Sequence, residues 1–183
     1  MPKQLLVFAH ADEASAFADV PHLVTGVGKI NASVHLAFAL SEAERAGDPV
    51  NEVLVLGTAG IVADSHDLAT IVQVDEAVQY DFSLPSPTLR FGSPTLDERA
   101  RVATGDQFVK DNRKRQEIAE LGASLCDMEA YAYAALCAKF QVPLRIFKIP
   151  SDFANSATTD QEWDEIVFLK SQQLRAFYNN LFA

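Results

Sequence analysis

Short apolar runs alternate along the chain with longer stretches of helical period, the pattern of an α/β domain built on a mostly parallel sheet. Strands are expected at 5–9 (LLVFA), 22–25 (HLVT), 52–56 (EVLVL), 69–74 (ATIVQV), 100–104 (ARVAT) and 144–149 (LRIFKI). A helix is expected at 29–46, where Ile30, Val34, Ala37 and Phe38 recur at helical spacing before the stop signal Gly47-Asp48-Pro49. A second, charged helix is expected at 112–121, closed by Gly122. The segment 127–140 is alanine-rich and apolar nearly all round, which predicts a buried central helix. Residues 160–182 read as a long amphipathic helix, with Trp163, Ile166, Val167, Leu169 and Leu174 available for docking. The Pro-rich stretch 82–94 has no clear period and reads as a loop or lid.

Composition narrows the partners. The 183 residues fit one domain spanning 1–183, and 49% hydrophobic residues suffice for a sizeable core. Lys and Arg total 15 against 25 acidic residues, a formal charge of −10 that repels nucleic-acid phosphates. No apolar stretch approaches about 18 residues, and no basic segment precedes an apolar signal core. A cytoplasmic chain without a membrane partner is the expectation. Cys126 and Cys137 both fall in the helix expected at 127–140 or at its edge. Eleven helical residues would set them about 16 Å apart, beyond disulfide reach, so they read as reduced core thiols. His10, His22, His35 and His66 lack short ligand spacing, which argues against a structural metal. GVGKIN at 26–31 lacks the third glycine of a dinucleotide loop, so no such cofactor is indicated.

Four segments close an expected strand with a polar or glycine-rich turn: AHADE (9–13), LGTAG (56–60), TGDQFV (104–109) and PSD (150–152). If the strands are parallel, all four turns line one edge of the sheet, where ligands of open α/β folds bind. Any one of them is also ordinary loop punctuation. Residues 126–155 place the acids Asp127 and Glu129, a helix, an apolar strand and then Asp152 in succession. Helix capping and dipole electrostatics explain the first pair equally well, and an Asx turn explains Asp152.

The pairing of Met128-Glu129 with a later Ser151-Asp152, in order with TGVGKINAS, LGTAG and TGDQFV, resembles the nucleoside phosphorylase and nucleosidase superfamily. Within it the chain looks most like the methylthioadenosine/S-adenosylhomocysteine nucleosidases. The resemblance implies an α/β, three-layer fold in a single domain, with a central mixed, mostly parallel twisted sheet flanked by helices. It implies hydrolysis of the N-glycosidic bond of a purine nucleoside, such as a 5′-modified adenosine, by a homodimer without metal or organic cofactor. Asp152 would be the general acid toward purine N7, which requires a raised pKa, and Glu13 the water-activating base, with Asp12 its immediate rival. Glu129 would accept from the ribose hydroxyls, Met128 would pack on the sugar, and Thr58 would hold the water or a sugar oxygen. Phe108 would stack on the base, the Val109 backbone would read its edge, and Ser151 completes the substrate-binding set. The loop at 82–94 is the implied closure of the 5′ pocket.

Departures from the family pattern carry information of their own. His10 stands where a methionine is usual near the 5′ substituent, Lys148 replaces an arginine, and Thr58 replaces a serine. Only seven residues separate Phe17 from Thr25, where relatives carry a further hairpin. Phosphorylases commonly have an arginine at the position of Val55, so water is the favoured nucleophile. A phosphorolytic enzyme and a noncatalytic nucleoside-binding protein are the alternatives.

Overall fold

The computed structural model describes residues 3–182. Its elements in chain order are β1 (Gln4–Phe8), β2 (His22–Val24), α1 (Lys29–Arg45), β3 (Glu52–Ile61), β4 (Val72–Gln79), β5 (Leu89–Arg90) and β6 (Arg99–Thr104). They continue with α2 (Asn112–Ala119), β7 (Leu125–Asp127), α3 (Ala130–Phe140), β8 (Leu144–Asp152) and α4 (Asp160–Leu181). A 3-10 turn at Ser15–Phe17 follows β1.

The sheet is mixed and mostly parallel. Strands β2, β1, β3 and β8 run parallel as one group, and β4, β6 and β7 as another. The groups meet antiparallel where β4 pairs β8 and β7 pairs the far end of β3. Pairing of β3 with β8, β8 with β4, β4 with β6, β6 with β7 and β7 with β3 therefore closes a circuit of five strands. Closure satisfies backbone groups that an open edge would leave exposed.

Side-chain alternation sorts the central strands onto two cores. Leu6, Phe8, Leu54, Leu56, Phe147 and Ile149 pack with Phe17 and with Leu174 of α4. On the other face Val7, Val53, Val55, Leu144 and Ile146 meet Ala32, Leu36 and Leu40 of α1 and Cys137 of α3. Both faces are covered, which is why these strands read as continuous apolar runs. The α/β class with a mixed, mostly parallel sheet flanked by helices is thus the one expected from the sequence.

Several local expectations are corrected. LGTAG and PSD lie inside strands, because β3 extends to Ile61 and β8 to Asp152, each paired along its extra length. The strand expected at 69–74 begins three residues later and runs to Gln79. Residues 125–127 form β7 rather than helix, because β6 and β3 offer pairing on both sides, so Cys126 is a strand residue. Both cysteines are nevertheless buried and free. Helix α3 exposes Ala135, Ala138 and Lys139, so it covers the sheet from one side and is not central. The stripe that marks α1 in the sequence faces outward: Ile30, Val34 and Phe38 are 74%, 59% and 65% exposed. The core instead takes Ala32, Leu36 and Leu40 from a second apolar face, a choice that periodicity cannot make. Within 82–94, Leu89–Arg90 pairs with β4, and the Ser86 hydroxyl donates to the Tyr131 hydroxyl at 2.9 Å.

Phe147 is fully buried and packs its ring against Phe177 and Phe182. Phe147→Ala is expected to lower unfolding free energy by about 3–5 kcal/mol, read as a fall in the urea midpoint without a change in slope.

Candidate active site

A cavity of about 300 Å³ opens where the two strand groups converge. Glu13 enters it from the turn after β1, Thr58 from β3, Phe108 and Val109 from the loop after β6, Met128 and Glu129 from the β7–α3 junction, and Ser151 and Asp152 from the end of β8. All eight residues singled out in the sequence line this one cavity. Asp12 does not; it lies beside His10, whose Nδ1 accepts from the Asp12 N–H at 3.2 Å. No residue of 82–94 lines it either, so the loop expected to close the site is placed elsewhere, against β4 and Tyr131.

Glu13 is 3% exposed and held by three donors. Its Oε1 accepts from the Thr58 N–H at 2.6 Å and the Thr58 hydroxyl at 2.7 Å, and its Oε2 accepts from the His10 N–H at 3.1 Å. A carboxylate offers about four acceptor sites, so one remains for a ligand or water. Trp163, from α4, closes this end: its indole N–H donates to Thr58 Oγ1 at 3.1 Å, and its ring meets His10 edge-on with centroids 5.3 Å apart.

Beneath the cavity Lys148 continues the face of Leu144 and Ile146 and ends 3.0 Å from Asp127 Oδ2, both side chains 2% exposed. Burial works against its charge, but Asp127, Glu129 and Glu13 outweigh burial and raise its pKa. The approach to Glu13 requires Gly57, where a Cβ would stand 3.1 Å from Glu13 Oε1 and 3.3 Å from the Lys148 ammonium. Asp127 also accepts from the Thr104 hydroxyl at 2.7 Å and the Ala130 N–H at 3.0 Å, so it caps α3 from the strand before it. Glu129 is 4% exposed, and its Oε1 accepts from the Gly28 N–H at 2.8 Å. Burial, and then the neighbouring Asp127, push its pKa up from 4.5 to about 8.

Asp152 Oδ1 accepts from the Ala154 N–H at 2.7 Å, an Asx turn, while Oδ2 accepts from the Ser151 hydroxyl at 2.7 Å. The turn and the cavity position coexist. Ala154 sits in the left-handed region at φ 48, which for a non-glycine residue costs roughly 1–2 kcal/mol and marks a backbone held in place by its surroundings. Phe108 is 37% exposed, a half-open ring at the rim, whereas Val109 is buried at 6%.

Sequence reasoning missed three contributors. Lys148 is marked in the sequence only as the replacement of a family arginine, although a cation inside an apolar strand is the signal that could have identified a buried counter-ion. Trp163 carries only the signal of a docking residue in the sequence, since its indole reaches the site through the path of α4. Gly28 donates to Glu129 across a separation that no local pattern encodes.

An α/β enzyme with its carboxylates gathered where strand ends converge is the class that this fold and cavity define. The chain belongs to the phosphorylase superfamily, whose family model matches residues 19–177. Among its relatives, a 5′-methylthioadenosine/S-adenosylhomocysteine nucleosidase of a Geobacillus species is 26% identical over 165 residues, covering 75% of this chain and 69% of that protein. An aminodeoxyfutalosine nucleosidase of Campylobacter jejuni is 24% identical over 171 residues, covering 77% of this chain and 70% of that protein. The fold is shared with a solved structure of a futalosine hydrolase mutant of Helicobacter pylori, with TM-score 0.80, 18% identity, and 99% and 100% of the two chains covered.

A buried carboxyl whose folded pKa is raised keeps its proton between pH 4.5 and about 8 while the unfolded chain has lost it. Stability should therefore fall with rising pH across that window, by up to about 1.4 kcal/mol per pH unit. In Glu129→Gln this slope is expected to disappear. The check is chemical denaturation of both proteins at intervals from pH 4.5 to 8.5; equal slopes would refute the protonated carboxyl.

Proposed function

We propose that the protein hydrolyses the N-glycosidic bond of a purine nucleoside bearing a 5′ substituent and releases the free base. One observation carries the choice of water as nucleophile. Among the described residues, the cavity is lined by five carboxylates (Glu13, Asp127, Glu129, Asp152 and Asp164) and by no Lys or Arg. An anionic phosphate nucleophile would find no cationic side chain among these lining residues, whereas water needs a base. Val55 is 1% exposed and packs in the core, consistent with that choice.

In this reading Asp152 protonates the purine at N7 as the bond from the sugar to the base breaks, so the base leaves neutral. The sugar carbon becomes oxocarbenium-like and is attacked by water. Glu13 uses its remaining acceptor site to orient that water and take its proton, yielding the free sugar. Asp12, turned to His10 and away from the cavity, is the weaker candidate for the base. Glu129 holds the ribose hydroxyls with Met128 against the ring. Phe108 stacks on the base with the Val109 backbone at its edge, and Thr58 and Ser151 orient the two catalytic carboxylates. The named activities of the relatives, on methylthioadenosine, S-adenosylhomocysteine and aminodeoxyfutalosine, support a 5′-modified substrate. His10 and Trp163 bound the end of the cavity beside Glu13.

The protein acts as a cytoplasmic homodimer in this proposal. Ile30, Val34 and Phe38 form an outward apolar stripe on α1, and Val27, just before it, lines the cavity mouth. A second copy covering the stripe would remove it from water. No helix of the described residues is long and apolar enough to cross a membrane.

The reaction is tested by NMR of the products from a nucleoside panel, with and without phosphate. Free base and free sugar are expected in both buffers; a sugar 1-phosphate, with activity rising on addition of phosphate, would make the protein a phosphorylase, and binding without turnover would make it a receptor. Under the same assay Asp152→Asn and Glu13→Gln should each lose on the order of 10²–10⁴ in turnover, and Asp12→Asn little. Sedimentation velocity should give a dimer for the natural chain and a monomer for Phe38→Glu. A monomeric natural chain would reject the dimer.

A further inference from the structure

Three charged residues outside the cavity meet where α1 begins. The Lys29 N–H donates to Asp106 Oδ1 at 2.7 Å, the Lys29 ammonium lies 2.6 Å from Asp81 Oδ1, and the Asp106 N–H donates to Asp81 Oδ2 at 2.8 Å. Each residue is tied to the other two. The Lys29 and Asp81 side chains are only 19% and 18% exposed, so this ion pair is better shielded than a surface bridge. Gln79 accepts from the same ammonium at 3.2 Å.

The triangle joins two segments that reach the cavity from different parts of the chain. Gly28, adjacent to Lys29, donates its N–H to Glu129, so the first two free N–H groups of α1 serve two carboxylates from elsewhere. Gly28 has φ 94, and a Cβ there would stand 3.1 Å from Asp106 Oδ1, so the close approach needs glycine twice over. On the other side, Asp106 precedes Gln107, Phe108 and Val109, which line the cavity from a loop with no regular structure. Tyr80, next to Asp81, donates its hydroxyl to the Gln107 carbonyl at 2.6 Å. None of Lys29, Asp81 and Asp106 lines the cavity itself.

We propose that Lys29, Asp81 and Asp106 are positioning residues, a latch that fixes the base-facing loop 107–109 relative to Glu129 and so governs affinity for the base rather than the chemical step. The proposal rests on the assignment of the cavity to a purine nucleoside. A loop without secondary structure depends on such tethers for a single conformation, and a platform displaced by even an ångström loses contact area with a planar ligand. The acid and base are held from other elements: Asp152, at the end of β8, by Ser151 and the Ala154 N–H, and Glu13, in the turn after β1, by Thr58 and the His10 N–H.

The test compares the natural chain with Lys29→Met, Asp81→Asn, the double variant and the conservative Lys29→Arg. For each, kcat and KM are measured on the best nucleoside, and Kd for free adenine is measured by fluorescence of Trp163, the single tryptophan of the chain, which lines the cavity. Lys29→Met and Asp81→Asn should raise KM and Kd together by about tenfold, equivalent to about 1.4 kcal/mol, with kcat within about twofold. Lys29→Arg should restore most of the affinity, and the double variant should be no worse than the weaker single one, because both remove one contact. Hydrogen exchange should rise in 105–109 more than in β3 or β8, a readout that needs no ligand. Unchanged KM and Kd, a loss in kcat alone, or exchange rising uniformly would overturn the latch. If a variant is globally unfolded, Lys29→Gln is judged by the same three readouts. Failure of the natural chain to release base from any nucleoside would sink the hydrolase reading instead, and adenine Kd with hydrogen exchange would still decide the latch.

Discussion

One buried ammonium governs the chemistry of this molecule. Removing a lysine from water costs several kcal/mol unless partners replace the lost hydration, and Lys148 is 1% exposed. Asp127 supplies the direct contact at 3.0 Å, and Glu129 and Glu13 contribute from around it. A single cation cannot balance three carboxylates in so dry a place. The excess is relieved at Glu129, whose pKa climbs to about 8, so this group retains a proton near neutrality. The same excess disfavours any further anion in the cavity and leaves room for neutral water and a neutral nucleoside. Lysine suits the position because a compact point charge can contact Asp127 and still lie in the field of Glu129 and Glu13 without the planar fork of a guanidinium.

That charge cluster is possible only because the sheet folds back on itself. Antiparallel contacts of β7 with β3 and of β8 with β4 close the five-strand circuit, and closure brings strand ends of opposite direction to one opening. Asp127 from β7 and Lys148 from β8 then face each other across β3, where Gly57 lacks the Cβ that would crowd Glu13 and the Lys148 ammonium. An open, wholly parallel sheet would have spread these ends along one edge. The helices serve the same end, α1 by giving its N-terminal N–H groups to Glu129 and Asp106, and α4 by laying Trp163 across Thr58.

Elements with strong local signals were legible. The strand at the N-terminus, the helix at 29–46, the charged helix closed by Gly122 and the apolar strand before Asp152 are all found near their expected places. The weak points share one cause. LGTAG looks like a turn because glycine usually punctuates, yet here it is paired strand, since a close neighbour and not a bend demands the missing side chain. Cys126 and Asp127 look helical beside an alanine-rich run, yet β6 and β3 draw them into the sheet. The outward stripe of α1 dominates its sequence pattern while the core uses the other face. In each case tertiary pairing overrode a local preference worth less than the contacts it gained.

By itself the sequence determined the α/β class, the order of its elements and four of the five acids that line the cavity, Asp164 excepted, because alternation, helical period and motif order are properties of the chain alone. It also set the strongly negative charge that disfavours polyanions. Only the tertiary structure decided which acids are dry, which one keeps a proton, and which cation they share. Those outcomes depend on burial and on distances between residues such as Gly28 and Glu129, or Lys148 and Asp127, that lie far apart along the chain. Electrostatic energy scales with the inverse of separation and of local dielectric, and a folded core sets both.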